Sequence, residues 1–376
     1  MMPLLQDLNG KMESYIDELA ATQEDIELKN LMGKFSMAAI ASCAFGVDSG
    51  SFTNKEKPSE FVEHARNIFE GPGLFWNRIS SLITMVTPNR LKKMLTTLGF
   101  KNMPPFPNLK ENKFFQNVVD ATIKQRKDSR MKRNDLVDLM VAATEGNLDS
   151  TDDYTHIDST SKVEKVLNSG NYDNVISTAV ILLLAGYDTT GTTMSYILHE
   201  LALNQDCQET LYDEIQSAKD LSYDTIQSLP YLDAIIHETL RRHPVVATLD
   251  RPCKNNYKVA NSNFVLEKGI RIRVNNIGIC NDPNIYAKPE QWNPDNFLKE
   301  NKGKRNPYSF MAFSLGPRNC LAMRFAMFEI KVAISHLISR YTVLPTSKTN
   351  KDVQVDPKHV LGGAKGGLWV KLEKRS

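Results

Sequence analysis

Phe313-Ser314-Leu315-Gly316-Pro317-Arg318-Asn319-Cys320-Leu321-Ala322 is the stretch on which the reading of this chain turns. A glycine turn carries one arginine and one cysteine into an apolar run, Leu321–Tyr341, that repeats at helical spacing. A cysteine entering a helix sits where free backbone N–H groups and the positive end of the dipole favour its thiolate. That suits an anionic metal ligand. A single thiolate on a haem iron donates electron density that favours O–O cleavage, a glycine lets the backbone approach a flat macrocycle, and Arg318 has the charge to neutralise a propionate. Taken alone, a buried structural cysteine is the commoner outcome.

The chain around this stretch is ordinary globular material. It has 376 residues, 41% hydrophobic and 24% charged, with 46 Lys+Arg against 44 Asp+Glu. Disorder and collagen are excluded as whole-chain readings, and a net charge of +2 lacks the basic excess of a protein that lives on nucleic acid. The five cysteines, Cys43, Cys207, Cys253, Cys280 and Cys320, include no CxxC pair, which disfavours a disulfide framework and a zinc site. The longest apolar runs, Phe35–Phe45 and Val175–Gly186, fall short of the ~20 residues needed to cross a bilayer. The first residues read at once as an amphipathic helix rather than a targeting signal.

Helical spacing continues through Leu31–Phe45, Phe61–Phe69, Phe114–Arg126 and Asp135–Ala143, with Gly71–Gly73 and Pro104, Pro105 and Pro107 as punctuation. Glu145–Gly170 is polar and weakly patterned, a solvated loop. From Asn174 to Asn204 the pattern is apolar nearly all round, as expected of a helix through the middle of the molecule. Helices at Asp206–Ala218 and Tyr231–Arg242 follow. Val265, Ile270, Ile272 and Val274, with Gly269 between them, predict a short β-hairpin, and Val360–Leu372 a strand with a glycine-rich bend. A long loop, Asn281–Ser314, leads to the cysteine. The expectation is a mainly α chain with small β-sheets (α+β), residues 1–376 forming one domain.

The decapeptide resembles the haem-binding signature of the cytochrome P-450 family, F-x-x-G-x-R-x-C-x-G, with Ala322 in the last glycine place. Other motifs of that family stand at the expected distances. Ala185-Gly186-Tyr187-Asp188-Thr189-Thr190 is similar to its oxygen-activation motif. Ala185, Gly186 and Thr189 share a helix face, where the missing side chain of Gly186 leaves room for dioxygen, and Thr189 and Asp188 take general-acid roles. Glu238-Thr239-Leu240-Arg241 matches E-x-x-R, a pair that on its own is most often a solvated surface contact and that the resemblance makes a buried structural one. Pro294-Asp295-Asn296-Phe297 stands where relatives have P-E-R-F, so the neutral Asn296 predicts a weaker clamp before the haem loop.

The resemblance further implies that Arg251 holds a haem propionate, and that Val245, Val246, Ala247, Leu249, Ile181, Ala185 and Leu361 contact substrate. It implies haem b (iron protoporphyrin IX) on Cys320, with Phe313, Gly316, Arg318 and Ala322 around it. It implies electrons from an NADPH-cytochrome reductase, possible involvement of cytochrome b5, a lipophilic small-molecule substrate, no nucleic acid, and the cytosolic face of the endoplasmic reticulum membrane. The reaction expected is insertion of one oxygen atom of O₂ into a xenobiotic, a steroid or a fatty-acid-like molecule. The chain is most similar to the microsomal group of vertebrate family-three and arthropod family-six oxidases. It starts after the position of the family's anchor, proline hinge, first strands and W-x-x-x-R helix, so it reads as N-terminally truncated. The alternatives are a catalytically silent haem-binding or apo fragment and a haem-thiolate isomerase; the Asp188–Thr189 pair favours the monooxygenase, because an isomerase delivers no protons to dioxygen. None of the seven histidines is paired at metal-ligand spacing, and His237 and His243 read as helix-surface or satisfied residues.

Overall fold

Among the described residues, the stretches that repeat apolar residues every three or four positions form helices. The computed structural model describes residues 1–20, 25–53, 58–70, 109–129, 131–145, 172–357, 359 and 361–375. Within them lie α1 (Met2–Ala20), β1 (Ile26–Glu27), α2 (Leu28–Ile40), α3 (Glu60–Glu70), α4 (Leu109–Ser129), α5 (Leu136–Glu145) and α6 (Tyr172–Leu203). Next come α7 (Gln205–Ser217), α8 (Tyr223–Ser228), α9 (Pro230–Arg242), β2 (Thr248–Pro252), β3 (Tyr257–Lys258), β4 (Val265–Leu266), β5 (Arg271–Asn275) and α10 (Asn276–Cys280). The chain closes with α11 (Lys299–Lys302), α12 (Met323–Arg340), β6 (Tyr341–Pro345) and β7 (Trp369–Lys374). The architecture is mainly α with small antiparallel sheets, as expected. Gly71–Gly73, the proline cluster at 104–107, the polar run 146–170 and Val360 lie outside the described residues.

The predicted hairpin about Gly269 is not formed. Val265 and Leu266 pair instead with Lys258 and Tyr257, while β5 pairs with β2, Ile272 opposite Arg251. Cys253 N–H donates to Ile270 O and Gly269 N–H to Cys253 O, so the backbone groups that would have joined the two predicted strands are used on the upstream chain. Alternation reveals that a segment is a strand without naming its partner. The C-terminal strand β7 does form, in a sheet ordered β1, β7, β6 whose other members were not anticipated. Thr239 O and Leu229 O tie down the two ends of α9, by accepting the N–H groups of His243 and Asp233.

Two apolar clusters make up the core, and both draw on α2 and α6. One takes Leu28, Met32, Phe35, Met194, Ile197 and Leu201 and extends to α12 and the three-stranded sheet; the other takes Met37, Ile40, Val175, Leu183 and Tyr187 together with α4. The helices approach through glycine: a Cβ on Gly191 would meet Gly33 Cα at 3.2 Å, and one on Gly33 would meet the Tyr187 ring at 3.2 Å. A π-turn, Ala41–Phe45, ends α2, and Gly46 stops it in the left-handed region at φ 66°. At 32 residues α6 has the length and apolarity of a bilayer-spanning helix, yet every residue from Thr190 to Ala202 is buried by neighbouring protein.

Candidate active site

Three segments that the sequence singled out are built by α6, by the α9 exit and by the loop before α12. The α6 helix leaves one stripe uncovered along its buried middle, where Ile181 and Ala185 are exposed and Thr189 is half-buried, at successive i, i+4 positions. Ile181 keeps 64% of its surface, a large value for an isoleucine on a core helix. Thr189 Oγ1 donates to the Ala185 carbonyl at 2.7 Å, so the stripe is apolar except for a single hydroxyl.

One expectation about this helix is corrected. Gly186 does not face the cleft: a Cβ there would meet Ile40 Cγ1 at 3.1 Å, so its bare side serves the packing of α2 on α6. Asp188, next to Thr189, projects about 100° away from the stripe, as neighbouring residues on a helix do. Its buried carboxylate pairs with Lys29 Nζ at 2.5 Å, and the same ammonium donates to the Asp188 carbonyl at 3.1 Å and to Thr192 Oγ1. Lys29 lines two cavities of about 220 and 290 Å³ that also touch Glu27. Lys29 was invisible in the sequence, since 159 residues separate it from Asp188 and no motif joins them.

The Cys320 loop is held from behind. Cys320 N–H donates to Phe313 O at 2.7 Å and Asn319 N–H to Gly316 O at 3.0 Å. Gly316 turns at φ +76° with open space where a Cβ would be, and Ser314 takes φ +58°. Arg251 reaches this loop from β2, donating through Nη2 to Ser314 Oγ at 2.7 Å and to the Arg318 carbonyl at 3.4 Å. Residues 315–321 are exposed, and among the five cysteines Cys320 is the exposed one. The helix starts at Met323, later than expected, with Ala322 as its cap, so the thiol lies just outside the first turn. Burial of its protein-facing side pushes the thiol up, and the Ala322 N–H pulls it back down. Phe325, one turn beyond the loop, packs against both core clusters and so ties the loop to the middle of α6.

Glu238 and Arg241 form the buried pair, both side chains at 0% exposure. Arg241 Nε and Nη2 donate to Glu238 at 2.8 and 2.7 Å, and its other N–H groups donate to the carbonyls of Cys280, Pro289 and Gln291 at 2.8 to 2.9 Å. Glu238 Oε1 also accepts Asn293 N–H at 2.8 Å and Asn296 Nδ2 at 3.3 Å. The neutral Asn296 therefore still reaches the carboxylate, by a long bond.

The substrate candidates gather in two places. Val245, Val246 and Leu249 are half-buried and Ala247 exposed, and Ala247 O and Val246 O accept from Ile277 N–H and Asn276 Nδ2. Half-buried Leu361 precedes Gly362, whose Cβ position lies 3.4 Å from Val245 Cα, so these two apolar segments abut. Tyr196 of α6 holds that bend by donating to Gly362 O at 2.8 Å. His243 stacks on Tyr196 with centroids 4.2 Å apart and shares a 2.6 Å contact with Glu200, so it is satisfied, as is His237 with Asp233.

This geometry fits a haem: an exposed thiol, an open glycine, exposed apolar Leu315, Leu321 and Met323, and arginines 251 and 318 at the rim. The comparisons agree. A family profile described as Cytochrome P450 matches residues 1–369. Cytochrome P450 6B1 of Papilio polyxenes is 32% identical over 383 residues, covering 100% of this chain and 72% of that protein. Cytochrome P450 6k1 of Blattella germanica is 30% identical, covering 100% and 70%, and Cytochrome P450 3A11 of Mus musculus is 31% identical, covering 96% and 68%. The chain belongs to the cytochrome P450 family, and with it to the monooxygenase class of oxidoreductases. Its similarity runs to arthropod family-six and vertebrate family-three members.

Proposed function

We propose that this chain, folded as a single domain, is a haem-thiolate monooxygenase acting on a lipophilic small molecule, a xenobiotic, steroid or fatty-acid-like compound. The observation that carries the reading is the exposed Cys320 at the end of a loop pinned by Arg251 and fronted by Gly316. Haem b, when bound, supplies activation of O₂ with electrons from an NADPH-dependent reductase, with cytochrome b5 as a second donor. By resemblance the site of action is the cytosolic surface of the endoplasmic reticulum membrane.

The protein's own residues then have separable tasks. Cys320 provides the sulfur ligand, and Arg251 and Arg318 offer positive charge to propionates. Phe313 and Ala322 fix the loop by accepting and donating backbone hydrogen bonds. Thr189 is the one hydroxyl on the apolar stripe and orients a proton at the cleft. Asp188 takes protons from the Lys29 side, where two cavities admit water-sized groups, and passes them across the helix when its carboxylate leaves the ammonium. Ile181, Ala185, Val245, Val246, Ala247, Leu249 and Leu361 offer an apolar lining that excludes water and favours a lipophilic substrate.

The test is the carbon-monoxide difference spectrum of the dithionite-reduced, haem-loaded chain beside Cys320→Ser. A long-wavelength thiolate band in the parent and its loss in Cys320→Ser is the expected result. A band that survives the substitution sinks the ligand assignment.

A further inference from the structure

Asn296 lies in the turn Pro294–Phe297, ahead of the cysteine loop, and this turn is gripped from two sides. On one side its Nδ2 donates to the buried Glu238. On the other, its carbonyl accepts from Arg305 Nη2. The Arg305 guanidinium carbon lies 4.9 Å from the Tyr286 ring centroid and 5.0 Å from that of Phe297. Arg241 sits 5.0 Å from the same Tyr286 ring, so two guanidinium groups share one aromatic side chain beside one carboxylate. Arg241 has no freedom to do more, because its donors are already spread over Glu238 and three carbonyls.

We propose that Arg305 is a positioning residue for the Cys320 loop. It supplies, nine residues downstream, the cationic hold on this turn that the neutral Asn296 does not supply itself. The hold is transmitted by packing. Phe297 meets Phe310 edge-on with centroids 4.9 Å apart, and Tyr286 OH donates to Ser309 O at 3.3 Å. Ser309 and Phe310 run directly into Phe313, whose carbonyl fixes the Cys320 N–H. Cation–π contacts gain strength as they lose water, and half-buried Arg305 is stacked within the small apolar cluster of Ala234, Tyr286 and Phe297. The proposal rests on the assignment of Cys320 as iron ligand only for the spectroscopic part of its test.

The experiment compares the full chain with Arg305→Ala, Arg305→Lys and the double variant Asn296→Arg/Arg305→Ala. Amide exchange is followed by mass spectrometry over residues 281–320, with 190–203 of α6 as reference, and the carbon-monoxide spectrum is recorded on haem-loaded samples. Arg305→Ala should speed exchange over 294–320 on the order of tenfold while leaving α6 unchanged, and should lower the share of haem that shows the thiolate band. Lysine, lacking the planar stack, should restore little. Asn296→Arg should restore both readings, because an arginine there meets Glu238 directly. Unchanged exchange in Arg305→Ala, equal loosening of α6, or a double variant no better than Arg305→Ala would each overturn the proposal. If the parent itself shows no thiolate band, the ligand assignment fails and the exchange data still decide the role of Arg305.

Discussion

At the scale of single residues, Thr189 and Asp188 show how neighbours in sequence part company in space. Thr189 faces the uncovered stripe, while Asp188 is buried in a pair with Lys29 on the adjoining face of α6. Thr189→Ala is therefore expected to bind haem as the parent does but to form on the order of tenfold less product per NADPH consumed, as loss of a positioned general acid predicts. Equal yield per NADPH in the two proteins would remove Thr189 from proton delivery. The motif around these residues was plain in the sequence because its spacing is local. Lys29 was not, and neither was the direction of Gly186, whose bare face is decided by Ile40 on another helix. Arg251 was singled out by the resemblance, whereas its bond to Ser314, 63 residues away, was not legible.

Elements behave the same way: their existence is written locally and their partners are not. The 3.6-residue repeat gave α6, α9 and α12 nearly to the residue, whereas the alternation at 265–274 predicted a hairpin whose two strands in fact serve different sheets. A side chain that no pattern flags is Glu329 on α12. It is fully buried with neither oxygen in a well-formed hydrogen bond, and burial pushes it well above the usual carboxylate range, with the Ser36 hydroxyl as the opposing influence. A raised folded pKa means stability that is whole below the unfolded value near ~4.3 and is lost as pH rises through the folded one. Glu329→Gln, which cannot ionise, should gain on the parent by up to about 1.4 kcal/mol for each pH unit above that value, until the folded group also titrates. Denaturant melts of both proteins at several pH values measure the slope. A constant gap between them would show that the carboxyl is charged in the fold.

For the whole molecule, the two apolar clusters are not separate bodies, because α2 and α6 contribute to both. Calorimetry should accordingly find a single transition. Its midpoint should fall as pH drops from about 7.5 to 5.5, for burial lowers the pKa of His199 and of His243, both against the pull of Glu200. With folded values depressed below ~6.5, the unfolded chain binds the extra protons, so stability is complete above that pH and drains away as acid is added. His243→Gln should flatten the dependence, and a midpoint as steep as the parent's would acquit His243. The close crossing of Gly33 on Gly191 has a consequence for anyone reading variants of this protein. Lys29 lies one helical turn before Gly33 and Asp188 three residues before Gly191, so the crossing that sets the gap between the helices also sets the reach of the ammonium. A methyl group added at Gly191 would press on the Gly33 backbone, and one at Gly33 on the Tyr187 ring, so either would disturb the spacing on which that ion pair depends. In a genetic screen such a change would mark a lesion of helix spacing, although it alters no charged residue.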